Sequence, residues 1–442
     1  MNQQSRLPSS RLHRLMKMGR LASGVASSVV GEGIRQAVRG QRPPMRDLVL
    51  TPQNAMRISE RLAEMRGAAM KIGQLLSMED GQLLPREITD QLARLRDGAH
   101  AMTQQQLHAQ LERELGPGWR DAFGDFDDQA MSAASIGQVH RAEDHGGQRL
   151  AVKIQYPGVA ESIDSDVDNA MSIIRLFKLL PDGLDISGLV ASAKAQLHDE
   201  ADYRLEADYL GLYRRSLSGQ QDFVMPEVIE ALSTHRVLTM THVPGDSIET
   251  LASERDQAER NRVVSALIEL CLREFLVSGV VQTDANFANF RYDRERRRIG
   301  LVDFGAVHVI EAGRIEALRK LLRAVMQSRL EEITRAAGEA GYFEPGDPFN
   351  YRLSIADLLQ TAATPASTHG SFDFASSPMP QQMSEKLIRV RSNKTFQRLP
   401  AVELLFLHRK LAGLYLLASR LRARVDVREI IERVMQEIAA PA

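Results

Sequence analysis

The chain has 442 residues, of which 43% are hydrophobic and 26% charged, with a formal net charge of −1. These proportions exclude a disordered, collagen-like or disulfide-stapled chain and fit a globular protein of one large domain or two to three ordinary ones. The single cysteine, Cys271, allows no intrachain disulfide and suggests a reducing compartment. The two most apolar stretches, 263–282 and 401–417, are interrupted by Glu269, Arg273 and Glu274, and by Glu403, His408, Arg409 and Lys410, so no transmembrane helix is expected; no secretory signal is visible either.

Charge is distributed unevenly. Residues 1–42 carry eight Lys or Arg and one acid, Glu32. Leu15, Met18, Ala22, Val25, Val29 and Ile34 fall at mostly helical spacing, with Arg14, Lys17, Arg20, Arg35 and Arg39 elsewhere. Residues 1–45 therefore read as a basic amphipathic arm. It could lie on an anionic membrane surface, pack on its own domain, or serve as an organelle transit peptide.

Residues 46–125 read as a helical extension. Thr51-Pro52 opens a helix expected to run to about Met78 and to contain Lys71-Ile72-Gly73-Gln74. A second helix follows Pro85, and a third has a capping box, Thr103 with Gln106, and stops at Gly116. The pattern changes after Ala130. A small-residue turn over 131–137 leads into strands at 136–142 and 150–154, joined by a turn at His145-Gly146-Gly147. Helices are expected at 160–180 and 186–217, then a strand at 237–241 ending in the turn Val243-Pro244-Gly245-Asp246. A helix over 258–278 precedes the central stretch, and the remainder reads as helical, with a Ser/Pro/Gly-rich loop at about 363–380.

The central stretch carries chemistry. Asp284 is followed five residues later by Asn289, and fourteen residues beyond lies Asp303-Phe304-Gly305 at the end of an apolar run. Protein kinases space their catalytic Asp, their Asn and their Asp-Phe-Gly in this way. One Asp orients the acceptor hydroxyl, while the Asn and the second Asp hold Mg²⁺ ions that bridge the nucleotide phosphates. Upstream, Gly137, Val139, Ala151 and Lys153 occupy the pattern of a phosphate-covering loop followed by a strand lysine. Each signal has an ordinary alternative: Asp-Phe-Gly as a turn after a strand, Lys153 as a strand-end lysine, Glu200–Glu206 as a solvated acidic face. Their order and separations are those of a kinase.

On these residues the chain resembles the UbiB family of atypical protein-kinase-like proteins, also called AarF/ADCK and linked to ubiquinone biosynthesis. Lys71-x-Gly73-Gln74 resembles the family's K-x-G-Q signature. Ala133-Ala134-Ser135-Ile136-Gly137-Gln138-Val139-His140 resembles its Ala-rich replacement of the Gly-rich loop, and Glu200-x-Asp202-Tyr203-x-x-Glu206-Ala207 its acidic helix. Gln282-Thr283-Asp284-x-Asn286-Phe287-x-Asn289-Phe290 is closer to the mitochondrial coenzyme Q branch than to the bacterial one. The resemblance covers about residues 50–420.

The resemblance implies an α+β, two-lobed kinase-like fold, with an N-lobe over 126–245 and a helical C-lobe over 246–442. It implies ATP and Mg²⁺ as ligands. Lys153 is expected to contact the α- and β-phosphates and pair with Glu206, Asp284 to be the catalytic aspartate, and Asn289 and Asp303 to ligate Mg²⁺. Residues Ala133, Ala134, Ser135, Ile136, Gly137 and Val139 would cover the phosphates, and Met240 to Val243 would line the adenine. Lys71 and Gln74 would cover the site and meet Glu200 and Asp202, with Asp202 and Glu206 on one face of the helix over 186–217. Several features depart from ordinary kinases: Gln282-Thr283 replaces His-Arg, no Ala-Pro-Glu follows Asp303, and 53 residues separate Lys153 from Glu206. These departures put ordinary protein phosphorylation in doubt.

Three functional readings follow. The first is an ATP-dependent phosphotransferase or ATPase supporting ubiquinone or other prenyl-lipid metabolism at a membrane. The second is a nucleotide-binding pseudokinase scaffold, and the third a small-molecule kinase, against which the K-x-G-Q extension argues. Expected partners are ATP or ADP, an anionic membrane surface, and quinone-biosynthesis proteins or lipids, with no nucleic acid. The expected location is cytoplasmic, peripheral at the inner membrane face, or the mitochondrial matrix in a eukaryote.

Overall fold

A computed structural model describes residues 51–63, 65, 102–177, 179, 186–253, 256–284, 286–392 and 400–439. The basic arm, and Lys71 and Gln74 with it, lie outside the described residues. The chain divides into two compact units: the residues up to Tyr203 with Ile229–Met240, and Arg204–Val228 with Thr241 onward.

In the first unit, helix α1 (Pro52–Ala63) starts behind Thr51, whose Oγ1 accepts from Asn54 N–H. Helix α2 (Gln104–Leu115) has the reciprocal cap anticipated from sequence: Thr103 Oγ1 accepts from Gln106 N–H, and Gln106 Oε1 accepts from Thr103 N–H. Gly116, at φ 90°, ends it in a conformation that other residues rarely adopt. A four-stranded sheet follows in the order β1-β2-β3-β5, formed by β1 (Asp125–Ala133), β2 (Gly137–Glu143), β3 (Arg149–Gln155) and, after β4 of the second unit, β5 (Val237–Thr241). Helix α2 packs on it, and Leu107, Leu111, Trp119, Phe123, Phe126, Val152 and Ile154 form the core between them. The sequence reading missed β1, because its alternation is weak and its pairing with β2 is irregular between Phe126 and Ser132.

Helices α3 (Val159–Leu176) and α4 (Ser187–Glu200) complete the unit. The single helix expected over 186–217 is in fact two, α4 and α5 (Tyr203–Ser216). Competing backbone bonds cause the break: Gln155 Nε2 donates to Ala201 O at 2.8 Å, and Tyr203 N–H donates to His235 O at 3.0 Å. The Ala201 carbonyl and the Tyr203 N–H are thus taken out of the helical ladder, while Ala201 N–H still closes α4 on Leu197 O at 3.0 Å.

The second unit is mostly helical. After α5 and the short β4 (Phe223–Val224) come β6 (Asp246–Ser247), α6 (Gln257–Arg273), β7 (Val280–Gln282), β8 (Phe290–Asp293), β9 (Arg298–Leu301) and β10 (Val307–Val309). Strands β4-β9-β8-β6 form one sheet, and β7 pairs antiparallel with β10. Helices α7 (Ala312–Met326), α8 (Leu330–Ala340), α9 (Phe349–Ala362), α10 (Thr364–Ser367), α11 (Met379–Ser392), α12 (Val402–Arg420) and α13 (Val427–Ala439) follow. The stretch after Asp303 is therefore not wholly helical: besides β10, strands β11 (Phe372–Asp373) and β12 (Arg424–Val425) pair within it. The core runs from Cys271 and Phe275 through Leu321, Ile333 and Ala337 to Tyr351 and Leu404. Burial pushes the Cys271 thiol up to about 12, so it is inert as a nucleophile at neutral pH. No described helix is long and apolar enough to cross a membrane.

One core contact carries a pH signature. His408 Nε2 on α12 shares a hydrogen bond of 2.7 Å with the Tyr342 hydroxyl, and burial lowers the imidazole from 6.5 to about 4. The unfolded chain then takes up a proton below pH 6.5 that the folded chain refuses until about pH 4. The His408 contribution to stability is therefore complete above pH 6.5 and is lost as pH falls through this window. Melting temperatures from pH 7.5 to 4.5 should fall more steeply for wild type than for His408→Gln; parallel curves would contradict the assignment.

Candidate active site

In the first unit, Lys153 lies on β3 opposite Val139 of β2 and is only 8% exposed. Its Nζ sits 5.1 Å from the centroid of the Tyr203 ring, a cation–π arrangement that holds a desolvated ammonium. The Ala-rich segment turns between β1 and β2, where Ala134 N–H donates to Gly137 O at 2.9 Å and Tyr156 N–H donates to Ile136 O at 2.9 Å. Positive backbone φ is absent from Ala133 through Val139. Alanines therefore fit this turn without strain, which explains how the loop dispenses with most of its glycines. Gly137 is retained for space: a Cβ there would fall 2.4 Å from Ile154 O and 2.7 Å from the Tyr203 hydroxyl oxygen. Ser135 Oγ donates to Glu200 Oε2 at 3.2 Å, so the acidic residue at the end of α4 holds the turn. Asp202 instead meets His235 Nδ1 at 2.9 Å. It is not helical, so it does not share a helix face with Glu206 as the sequence suggested. Met240 is buried at the end of the first unit's portion of β5.

The second unit gathers Glu206, Asp284, Asn289 and Asp303. Gln282 and Thr283 hold the Asp284 segment on the Asp303 segment: Gln282 Nε2 donates to Asp303 O at 2.5 Å, and Thr283 donates through N–H and Oγ1 to Ala306 O at 2.7 and 2.9 Å. Val302 N–H donates to Asn289 O at 3.2 Å, which fixes the Asn beside the strand that delivers Asp303. Asp303 Oδ1 accepts from Gly305 N–H at 3.1 Å. A Cβ on Gly305 would lie 3.2 Å from Glu206 Oε2 and 3.4 Å from Asp303 Oδ1, so the glycine lets these two carboxylates approach one turn of chain. Phe304 is fully buried edge-on to Tyr213 of α5, with centroids 5.3 Å apart. Val243 is buried against Gly300 of β9.

Both oxygens of Asp284 are engaged. Asn289 Nδ2 donates to Oδ2 at 3.1 Å, and Arg409 Nη2 to Oδ1 at 2.6 Å. The next residue, Lys410, donates to Gln282 O at 2.9 Å and pairs with Glu274, which in turn accepts from Tyr213 Oη at 2.5 Å and from Gln282 N–H at 3.1 Å. Burial first, and the Glu274 carboxylate second, push the Tyr213 phenol well above its ordinary value, so it stays a donor. Sequence reasoning did not find Arg409, Lys410, Glu274 or Tyr213.

The donor set suits a hard cation. Among the described residues no group of three or more His, Cys, Asp and Glu converges into a protein-only metal cage. Asn289 and Asp303 instead offer two oxygen ligands. Because Asn289 gives its amide N–H to Asp284, its amide oxygen is left for a cation. Two side-chain oxygens completed by phosphate and water are what Mg²⁺ takes in nucleotide sites.

Comparison with known proteins agrees with this architecture. The model of the ABC1 atypical kinase-like domain matches residues 94–337. The atypical kinase COQ8 of Saccharomyces cerevisiae mitochondria is 36% identical over 97% of this chain and 86% of its own length. The mitochondrial atypical kinase COQ8B of Danio rerio is 36% identical over 96% of this chain and 68% of its own. Among solved structures, the complex of Rv3197 with erythromycin from Mycobacterium tuberculosis is 26% identical, covers 86% of this chain and 95% of its own, and superposes with a TM-score of 0.62. Its mixed helix–sheet fold and these matches place the chain plainly in the ABC1, or UbiB, family of atypical kinase-like proteins.

Proposed function

We propose that the protein binds ATP with Mg²⁺ and turns it over as an atypical kinase or ATPase, in support of ubiquinone or other prenyl-lipid biosynthesis at a membrane surface. The observation that carries this reading is the retention of Lys153, Asp284, Asn289 and Asp303, with Asp284 and Asn289 hydrogen-bonded at 3.1 Å and Asp303 adjoining Glu206. In this reading Lys153 serves the α- and β-phosphates with Glu206 as its acidic partner. Asp284 orients the acceptor, and Asn289 and Asp303 hold Mg²⁺, which when bound neutralises the phosphate charge. Relatives at 36% identity bear the names of mitochondrial atypical kinases, which supports both the reaction class and the coenzyme Q branch.

One observation favours a second reading. Arg409 and Asn289 occupy both Asp284 oxygens, so an acceptor hydroxyl has to share an engaged carboxylate. A nucleotide-binding scaffold for a biosynthetic complex requires no such acceptor. Cells lacking the gene distinguish the two. Wild type should restore ubiquinone content and Asp284→Asn should not; full restoration by Asp284→Asn would favour the scaffold, and normal quinone in the deletion strain would remove the pathway assignment.

The membrane part of the proposal rests on the arm. Deleting residues 1–42 removes eight basic residues against one acid and should weaken co-sedimentation with anionic vesicles, and binding of the full chain should itself fall at high salt. Equal co-sedimentation of both forms would favour an arm packed on its own domain.

A further inference from the structure

Among the described residues, strands β7 and β10 form a ribbon two strands wide. Gln282 pairs opposite Val307, while its neighbour Thr283 gives its N–H to Ala306 O. In an antiparallel pair, alternate residues turn their N–H and C=O away from the partner strand, and Gln282 is such a residue. It is 3% exposed, so its outward peptide groups need partners other than water. A third strand would ordinarily supply them. Here one charged side chain meets each: Glu274 Oε1 accepts the N–H at 3.1 Å, and Lys410 Nζ donates to the carbonyl at 2.9 Å.

Glu274 and Lys410 pair with each other and are 2% and 6% exposed. Glu274 opens a π-helical turn, Glu274–Ser278, that follows α6 and closes at Gly279 with φ 68°. Such wide turns recur where a side chain must be re-aimed for function. Lys410 comes from α12, beyond the residues 94–337 that match the family domain. A buried ion pair is a poor device for stability alone, since two apolar side chains of similar volume often serve as well. This pair converges instead on the N–H and C=O of one residue, Gln282, two residues before Asp284, and Arg409 reaches the Asp284 carboxylate from the same turn of α12.

We propose that Glu274 and Lys410 are positioning residues for phosphoryl chemistry, acting as a charged substitute for a third strand that fixes the Gln282 peptide and so sets Asp284. The inference rests on the nucleotide-turnover reading above. It makes the helix from Val402 to Arg420 part of the catalytic apparatus, although it contributes no motif.

The test compares MgATP turnover and melting temperature for wild type, Lys410→Met, Glu274→Gln with Lys410→Met, and Lys410→Arg. Lys410→Met leaves Glu274 buried and unpaired and should melt lower. The double variant removes both charges and should recover most of that loss. Its kcat should nevertheless stay about tenfold or more below wild type with KM for MgATP within about threefold, because misplacement costs rate rather than binding. Lys410→Arg keeps the charge but not the compact donor, and should show the same split at near-wild-type melting temperature. Wild-type kcat in either variant, once folded, overturns the proposal. Failure of the underlying reading looks different: the wild type itself would turn over no ATP. Amide exchange at Gln282 and Thr283 then decides whether the pair holds the loop. Protection should drop about tenfold in the double variant, and unchanged protection overturns the positioning role.

Discussion

Asp303→Asn should abolish the Mg²⁺-dependent part of nucleotide binding. The substitution keeps the size of the side chain and an oxygen that can accept from Gly305 N–H, now at 3.1 Å. The backbone carbonyl of residue 303 remains tied to Gln282 Nε2, so the loop has no reason to move. What is lost is the charge that would face a divalent cation in the proposed site, while the neighbouring Glu206 remains. Affinity for MgATP should fall about 100-fold, or about 2.7 kcal/mol. Melting temperature should change little, since an isosteric change at a half-buried loop residue that keeps its hydrogen bonds and removes no core packing usually shifts stability by about 0.5 kcal/mol or less. Calorimetry with and without Mg²⁺ reads this directly. Wild-type MgATP affinity in Asp303→Asn would remove this residue from the metal site.

Arg409→Ala should separate binding from turnover. The guanidinium holds Asp284 Oδ1 at 2.6 Å, and the pair is mostly shielded from solvent, at 18% and 22% exposure. Without it Asp284 keeps, among the described residues, the Asn289 contact on its other oxygen and can rotate. A carboxylate misplaced by about 1 Å costs roughly 100-fold in rate. Steady-state kinetics should therefore show kcat lowered by about that factor with MgATP affinity nearly unchanged. Arg409→Lys should rescue only in part, because an ammonium cannot reproduce the planar donor. A variant that turns over ATP faster than wild type would instead make Arg409 a restraint on Asp284.

The kinase-like architecture was legible because its signals are local. The Thr103–Gln106 capping box, the turn at Gly146-Gly147 and the strand carrying Lys153 each depend on residues within one turn or one hairpin. The Asp284–Asn289 spacing works in the same way, and the structure brings those two side chains into contact. The helix break at Ala201–Asp202 could not be read, because its cause lies at Gln155 and His235, far along the chain. Strand β1 was hidden by its irregular register.

The most informative omission concerns charge. Glu274, Arg409 and Lys410 served only to show that two apolar stretches are too interrupted to span a membrane. The physical question those interruptions raise is what a buried charge meets, and here the answer is the segment that carries Asp284. The K-x-G-Q segment with Lys71 and Gln74 lies outside the described residues, and its role as a cover for the nucleotide stands as a proposal.

Nucleotide turnover is the central activity proposed for this chain. Purified protein should release phosphate from ATP only with Mg²⁺, and faster with anionic vesicles and a phenol resembling a quinone precursor. Lys153→Met, Asp284→Asn and Asp303→Asn should each fall to background. Phosphate release that is absent from wild type under all these conditions, or that persists undiminished in the three variants, would contradict it.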